Sequence, residues 1–189
     1  MEKILTVGLF LTGFAFVFAQ KVISIEAEGN LESPNPLDCV KLLEVTNNHN
    51  PADILNGMRK CIEIKDFEKA TKLFALGSVY GTYDSYRVED KTAHQAILVI
   101  LDNNLSDISN EDEQAFVKNL HENFEKGSEK LNAICQEIQN VGIPAYYPRY
   151  MIQHGINAFL DEDGDGLVEG FNSEESWELV LKDYLHCGE

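Results

Sequence analysis

Residues 50–81 read NPADILNGMRKCIEIKDFEKATKLFALGSVYG, and the spacing of their apolar side chains decides the fold. Asn50 before Pro51 is a helix opening, a capping side chain followed by a ring whose fixed φ suits the first turn. Ile54, Met58, Cys61 and Ile62 then recur at intervals of three and four, which puts them on one helical face. A second run follows in which Phe67, Ala70, Leu73, Phe74 and Gly77 face inward, with Gly81 as the expected stop. A short link joins the two helices, so the stretch predicts an antiparallel hairpin.

The same period extends outward. Asn35-Pro36 repeats the opening, and Leu37, Val40 and Leu43 predict an earlier helix that carries Cys39. Residues 81–96, GTYDSYRVEDKTAHQA, read as a polar, aromatic connection into a helix over AHQAILVILDNNL. Ser109 with Asp112 resembles a capping box that starts a long amphipathic stretch, broken near Gly127 and ending by Gln139. Pro144 and Pro148 mark turns before a shorter helix, and SEESWELVLKDYLHCG closes the chain helically. No period-two alternation rich in Val, Ile and Thr is sustained, so a sizeable sheet is not expected. The predicted fold is mainly α, one compact helical domain of six to seven helices over residues 35–189.

Residues 1–20, MEKILTVGLFLTGFAFVFAQ, have a basic start, an apolar run from Ile4 to Val17 and a small-residue exit. That pattern predicts a signal peptide cleaved near Ala19 or Gln20, with the mature chain secreted or periplasmic and without a membrane span. Residues 21–34 are short, acidic and punctuated by Gly and Pro, so a flexible segment is expected there. The whole chain has a formal net charge of −17, and losing residues 1–20 removes one acid and one base, leaving that value unchanged. Such a surface repels nucleic acid and favours cations and proteins with basic surfaces. The four cysteines, Cys39, Cys61, Cys135 and Cys187, are even in number, contain no C-x-x-C, and predict two disulfides. Cys39–Cys61 and Cys135–Cys187 are the expected pairs, because each would staple neighbouring helices.

Two local resemblances follow from these residues. The hairpin over residues 51–80 resembles one tetratricopeptide-like unit through Asp66, Phe67, Ala70, Phe74 and Gly77, but the first helix departs from that pattern and the unit does not recur. Arrays of this kind need about three repeats to bury a continuous core, so no groove is implied. Residues 161–172, DEDGDGLVEGFN, resemble a single EF-hand calcium loop. The resemblance implies ligands from Asp161, Asp163 and Asp165, the Leu167 carbonyl, Glu169, and a twelfth position held here by Asn172 instead of the usual bidentate Glu. Gly166 occupies the sharp-turn position. A solvated turn made of Asp and Gly is the alternative reading of the same residues.

Polar and aromatic residues crowd two further stretches, one with Tyr83, Asp84, Tyr86, Arg87, Asp90 and His94 and one with Tyr146, Tyr147, Arg149, Tyr150 and His154. Together they are a candidate binding site, or an acid–base site if the stretches meet. No G-x-S-x-G elbow or phosphate-cradling Gly loop is present, and HENFE around His121 lacks the second histidine of a zinc peptidase motif. The YYPRYMIQHGINAFL stretch with its acidic loop and the DYLHC ending is loosely similar to bacterial exported proteins of unassigned function, which brings no activity with it. The expected function is a non-enzymatic, exported binding or interaction factor, immunity-type factors included, that meets a basic protein. A secreted hydrolase using Arg87, His94 and His154 and a calcium-stabilised module are the alternatives.

The loop gives the first testable expectation. Calcium at about a hundredfold excess over its dissociation constant stabilises by about 2.7 kcal/mol, visible as a raised melting temperature in millimolar calcium. Asp161→Ala and Asp165→Ala each abolish the rise, and Asn172→Glu enlarges it. Coincident melting curves in chelator and in calcium would return the loop to a plain turn.

Overall fold

The computed structural model describes residues 26–160 and 164–188. The expected signal peptide, the first residues of the acidic segment, and Asp161 and Asp163 of the loop lie outside the described residues. The helices are α1 (Pro51–Glu63), α2 (Phe67–Arg87), α3 (Ala96–Leu105), α4 (Asn110–Asn123), α5 (Glu129–Val141), α6 (Arg149–Ile152) and α7 (Ser173–Leu179). Tight 3-10 turns stand at Leu42–Glu44, Ala93–Gln95 and Ile156–Phe159, and α7 runs into a wider π turn at Val180–Tyr184. The only β pairing among the described residues is an isolated antiparallel bridge between Val88 and Leu167. The fold is thus mainly α and stapled by two disulfides.

α1 begins as its sequence predicts. Asn50 Oδ1 accepts the Asp53 amide at 2.9 Å and Asp53 Oδ2 accepts the Asn50 amide at 3.2 Å, a reciprocal cap. The other oxygen of Asp53 accepts the Ser33 hydroxyl at 2.7 Å and the Asn35 amide at 2.8 Å, while the Asp53 carbonyl accepts the Leu37 amide. These bonds draw residues 33–37 across the start of α1 and correct the expected helix at Asn35–Val45. There only the turn Leu42–Glu44 is helical, with the Asn35 and Leu37 amides given to Asp53 and the Lys41 amide to the Glu44 side chain. Cys39–Cys61 therefore ties an irregular segment to α1, and Cys135–Cys187 ties α5 to the chain beyond α7.

The long helix α2 corrects the expected stop at Gly81, which lies inside it. A Cβ at Gly81 would come within 2.5 Å of Ile97 Cγ1, so this glycine admits the start of α3 and is not a terminator. Gly77 does the same for α1, where an added Cβ would lie 2.9 Å from Leu55 Cγ. Extending α2 to Arg87 moves Tyr83, Asp84 and Arg87 from a predicted connection onto a core helix. On one side α2 meets α4 through Phe74, Phe116 and Phe124; on another, Tyr80 and Tyr83 meet Trp177 of α7. α4 and α5 divide the predicted long amphipathic stretch, with Ser109 and Ser128 as their caps and Gly127 in the left-handed region between them.

Within residues 21–34, the part from Glu28 to Ser33 is fastened to the helical body. Leu31 donates its amide to the Tyr150 carbonyl at 3.0 Å, and Asn50 Nδ2 donates to the Glu32 carbonyl at 2.9 Å. Among the described residues no helix is long and apolar enough to cross a membrane. Both disulfides belong to an oxidising compartment. Their sequence separations are 22 and 52 residues, so loop entropy assigns about 3 kcal/mol to Cys39–Cys61 and about 4 kcal/mol to Cys135–Cys187. Urea unfolding of the two double-serine variants should rank them in that order, the Cys135/Cys187 pair losing more.

Candidate functional site

Among the described residues a concentrated polar network lies at the C-terminal half of α2, where the helical period puts Tyr80, Asp84 and Arg87 on the inward side. Asp84 is fully buried. Its Oδ1 accepts Arg87 Nε at 2.8 Å, with Nη2 of the same guanidinium 2.7 Å away as an ion pair. Oδ2 accepts two hydroxyls, Tyr146 at 2.8 Å and Tyr150 at 2.7 Å. The guanidinium lies against the rings of Tyr83 and Tyr146, 5.2 and 5.1 Å from their centroids, within reach of a cation–π attraction. Tyr83 extends the network to Ser173 at the start of α7, oxygen to oxygen at 2.8 Å.

Burial pushes the Asp84 carboxyl up from its ordinary range, against the pull of Arg87 and the two hydroxyls. Burial, and next the charge of Asp84, hold Tyr146 and Tyr150 well above the usual tyrosine value, so both remain donors. A carboxylate enclosed by one guanidinium and two phenols has no free lone pair facing solvent. This constellation joins α2, the 146–150 stretch and α7, and it is a scaffold.

The other predicted residues are used elsewhere. His94 Nε2 lies 2.9 Å from the Val88 carbonyl, which can only accept, so that nitrogen carries the proton. His154 Nδ1 is 2.9 Å from Asn30 Oδ1. Arg149 pairs with Glu32 at 3.1 Å and with Glu28 at 3.2 Å. Tyr147 donates its hydroxyl to the Asp165 carbonyl. The structure unites Asp84 with Arg87 and leaves His94, Arg149 and His154 in three separate networks. What the sequence did not show is the pairing of Tyr146 and Tyr150, from the second stretch, with Asp84 of the first. Their signal was their position four apart in YYPRY, uninformative until α2 was known to continue past Gly81.

Beside this scaffold the acidic loop is held by backbone. Glu89 donates its amide to the Gly166 carbonyl at 3.0 Å and Val168 donates to the Arg87 carbonyl at 2.9 Å, on either side of the Val88–Leu167 bridge. Gly166 has φ +72°, the left-handed conformation its sharp-turn position requires, and a Cβ there would lie 3.0 Å from Ile152 Cγ2. Asp165 Oδ1 accepts the Leu167 amide at 3.0 Å, and Asn172 Oδ1 caps α7 by accepting the Glu175 amide at 3.3 Å. So the twelfth loop position serves the helix that follows. Of the residues read as calcium ligands, Asp165, the Leu167 carbonyl, Glu169 and Asn172 are described here, with Leu167 half-buried and Asp165 and Glu169 exposed. Among the described residues no three acidic, histidine or cysteine side chains are grouped to hold a metal.

Between the loop, the 88–90 connection and the turn Ile156–Phe159 lies a cleft of about 260 Å³, lined by Glu89, Asp90, Tyr147, Ile152, Asn157 and Asp165 among others. Comparison with family models, curated proteins and solved structures finds nothing that matches this chain. Functional inference therefore rests on the chemistry of these residues.

The scaffold generates a stability prediction. Tyr150→Phe keeps the ring and removes one hydrogen bond to a buried charge, costing about 1.5–3 kcal/mol in urea unfolding. Arg87→Met leaves Asp84 without its cation and should cost about 3–5 kcal/mol. Equal stability of Arg87→Met and the parent chain would show that Asp84 is not held as an ion.

Proposed function

We propose that this is an exported, non-enzymatic binding protein whose acidic helical surface meets a partner with a basic surface. The observation that carries the reading is the way the cations are spent. The chain has 32 acidic against 15 basic side chains, and all three arginines are committed internally: Arg59 to Glu63, Arg87 to Asp84, and Arg149 to Glu28 and Glu32. Lys60, Lys65, Lys69, Lys72 and Lys118 are likewise paired with acids. The excess of carboxylates is left to project a negative field into solvent, which raises encounter rates with basic proteins and disfavours nucleic acid.

The engagement of Arg87, His94 and His154 in three structural contacts speaks for binding over hydrolysis, because a general acid or base must reach a substrate proton. Export through a cleaved signal peptide accords with two disulfides. A second reading, calcium stabilisation of the Asp161–Asn172 loop, is favoured by Gly166 in the left-handed conformation at the sharp-turn position and by the carboxylate of Asp165 beside it.

The mature protein, immobilised and exposed to an extract of its source, should retain basic proteins at low salt and release them as ionic strength reaches about 0.5 M, where the Debye length falls to a few ångströms. Retention of nothing, or retention indifferent to salt, would overturn the reading.

A further inference from the structure

The cleft beside the acidic loop carries more than the global charge does. Two exposed large apolar side chains line it, Tyr147 at 51 % exposure and Leu160 at 50 %, and Ile156, Phe159 and Val168, close by in sequence, are exposed as well. Single exposed apolar residues need no explanation, but exposed apolar side chains in the wall of a cleft are a place where a partner can gain by covering them. The charged side chains lining the cleft are all acids: Glu89, Asp90 and Asp165. Two of them are occupied. Asp90 accepts from the Thr92 hydroxyl and amide and from the Asn157 amide, and Asp165 accepts from the Leu167 amide. Glu89 is exposed, and its carboxylate meets no cation among the described residues. Arg149, two residues beyond Tyr147, is turned away to Glu28 and Glu32.

We infer that this cleft receives a segment of a partner protein in which an arginine or lysine stands next to an apolar side chain. The apolar group seats against Ile152 and the Tyr147 ring, and the cation faces Glu89 and the tyrosine π face. Volume selects the kind of occupant: about 260 Å³ lies below the range of ordinary small-molecule sites and suits one anchoring side chain of a larger surface. Charge complementarity selects its sign. The inference rests on the reading of the protein as a binder of basic partners, and adds where and through which groups it binds.

The test uses the isotopically labelled mature protein and three capped peptides, Gly-Arg-Leu-Arg-Gly, Gly-Glu-Leu-Glu-Gly and Gly-Arg-Gly-Arg-Gly, followed by amide chemical shifts. The first peptide should move the amides of Glu89, Asp90, Tyr147, Ile152 and Asn157 and bind about tenfold more tightly than either of the others, since it alone offers both anchor and charge. Glu89→Gln and Tyr147→Ala should each weaken it roughly fivefold, and Tyr147→Phe, which keeps the ring, should not. Absence of shifts at those amides, equal binding of the three peptides, or indifference to Glu89→Gln would overturn the site. Shifts that follow protein concentration instead of peptide would identify a second copy as the occupant and overturn it equally. If Glu89→Gln and Tyr147→Ala leave salt-sensitive retention of basic proteins intact, the cleft is the wrong place and the broader reading survives. If the parent chain retains none and ignores the peptides, both fall.

Discussion

One buried carboxylate organises the fold. Taking Asp84 out of water costs several kcal/mol unless its lone pairs are met, and they are met by groups from separate parts of the chain: Arg87 one turn along α2, and Tyr146 and Tyr150 from sixty residues later. The chain between Val141 and Arg149 has two prolines and little regular structure, so packing periodicity alone would not fix its path. Two phenols with a single buried acceptor do fix it. Once Tyr150 is in place, Leu31 pairs with its carbonyl and the N-terminal segment is drawn over the same region. A polar contact in the core thus specifies where irregular segments go.

The hairpin of α1 and α2 was legible because its signals are local: a cap, a proline at the first turn, and apolar residues at helical spacing. The same holds for the Ser109 cap and the punctuation at Gly127. Two readings failed for one reason, the weight of distant partners. Gly81 looks like a stop in sequence and proves to be a contact for Ile97. Residues 35–45 look like a helix, yet their start is laid across α1 by hydrogen bonds to Asp53 and only Leu42–Glu44 is helical. The disulfide pairs were legible although Cys39 is not on a helix, because proximity to α1 sufficed. Asp84, Arg87, Tyr146 and Tyr150 all stand in stretches that look crowded with polar and aromatic groups, but their pairing was not legible, since a contact across more than sixty residues leaves no trace in spacing.

The two polar stretches read as a possible joint site divide into a closed network and an open one. The closed one meets both oxygens of Asp84 with donors and gives rigidity, although the buried Arg87 Nη2 makes no hydrogen bond of its own. The open one, along Glu89, Tyr147 and the 3-10 turn, leaves a carboxylate and several apolar side chains to solvent. Rigid support next to an unsatisfied surface is the arrangement that lets a small protein bind without first ordering itself, which spares the entropy of immobilising side chains on association.

The Cys135–Cys187 bond also changes the chain's covalent topology. It closes a ring that contains the 146–150 tyrosines, α6, the acidic loop and α7, leaving α1 to α4 outside. The exposed stretch of that ring at Val168, Glu169 and Gly170 is the kind of tip that proteases cut first. A cut there opens the ring without releasing either piece: the chain to Cys135 and the stretch through Cys187 stay joined by sulfur, and the Asp84 hydroxyl contacts stay on the larger fragment. After such a first nick the protein persists as a two-chain molecule.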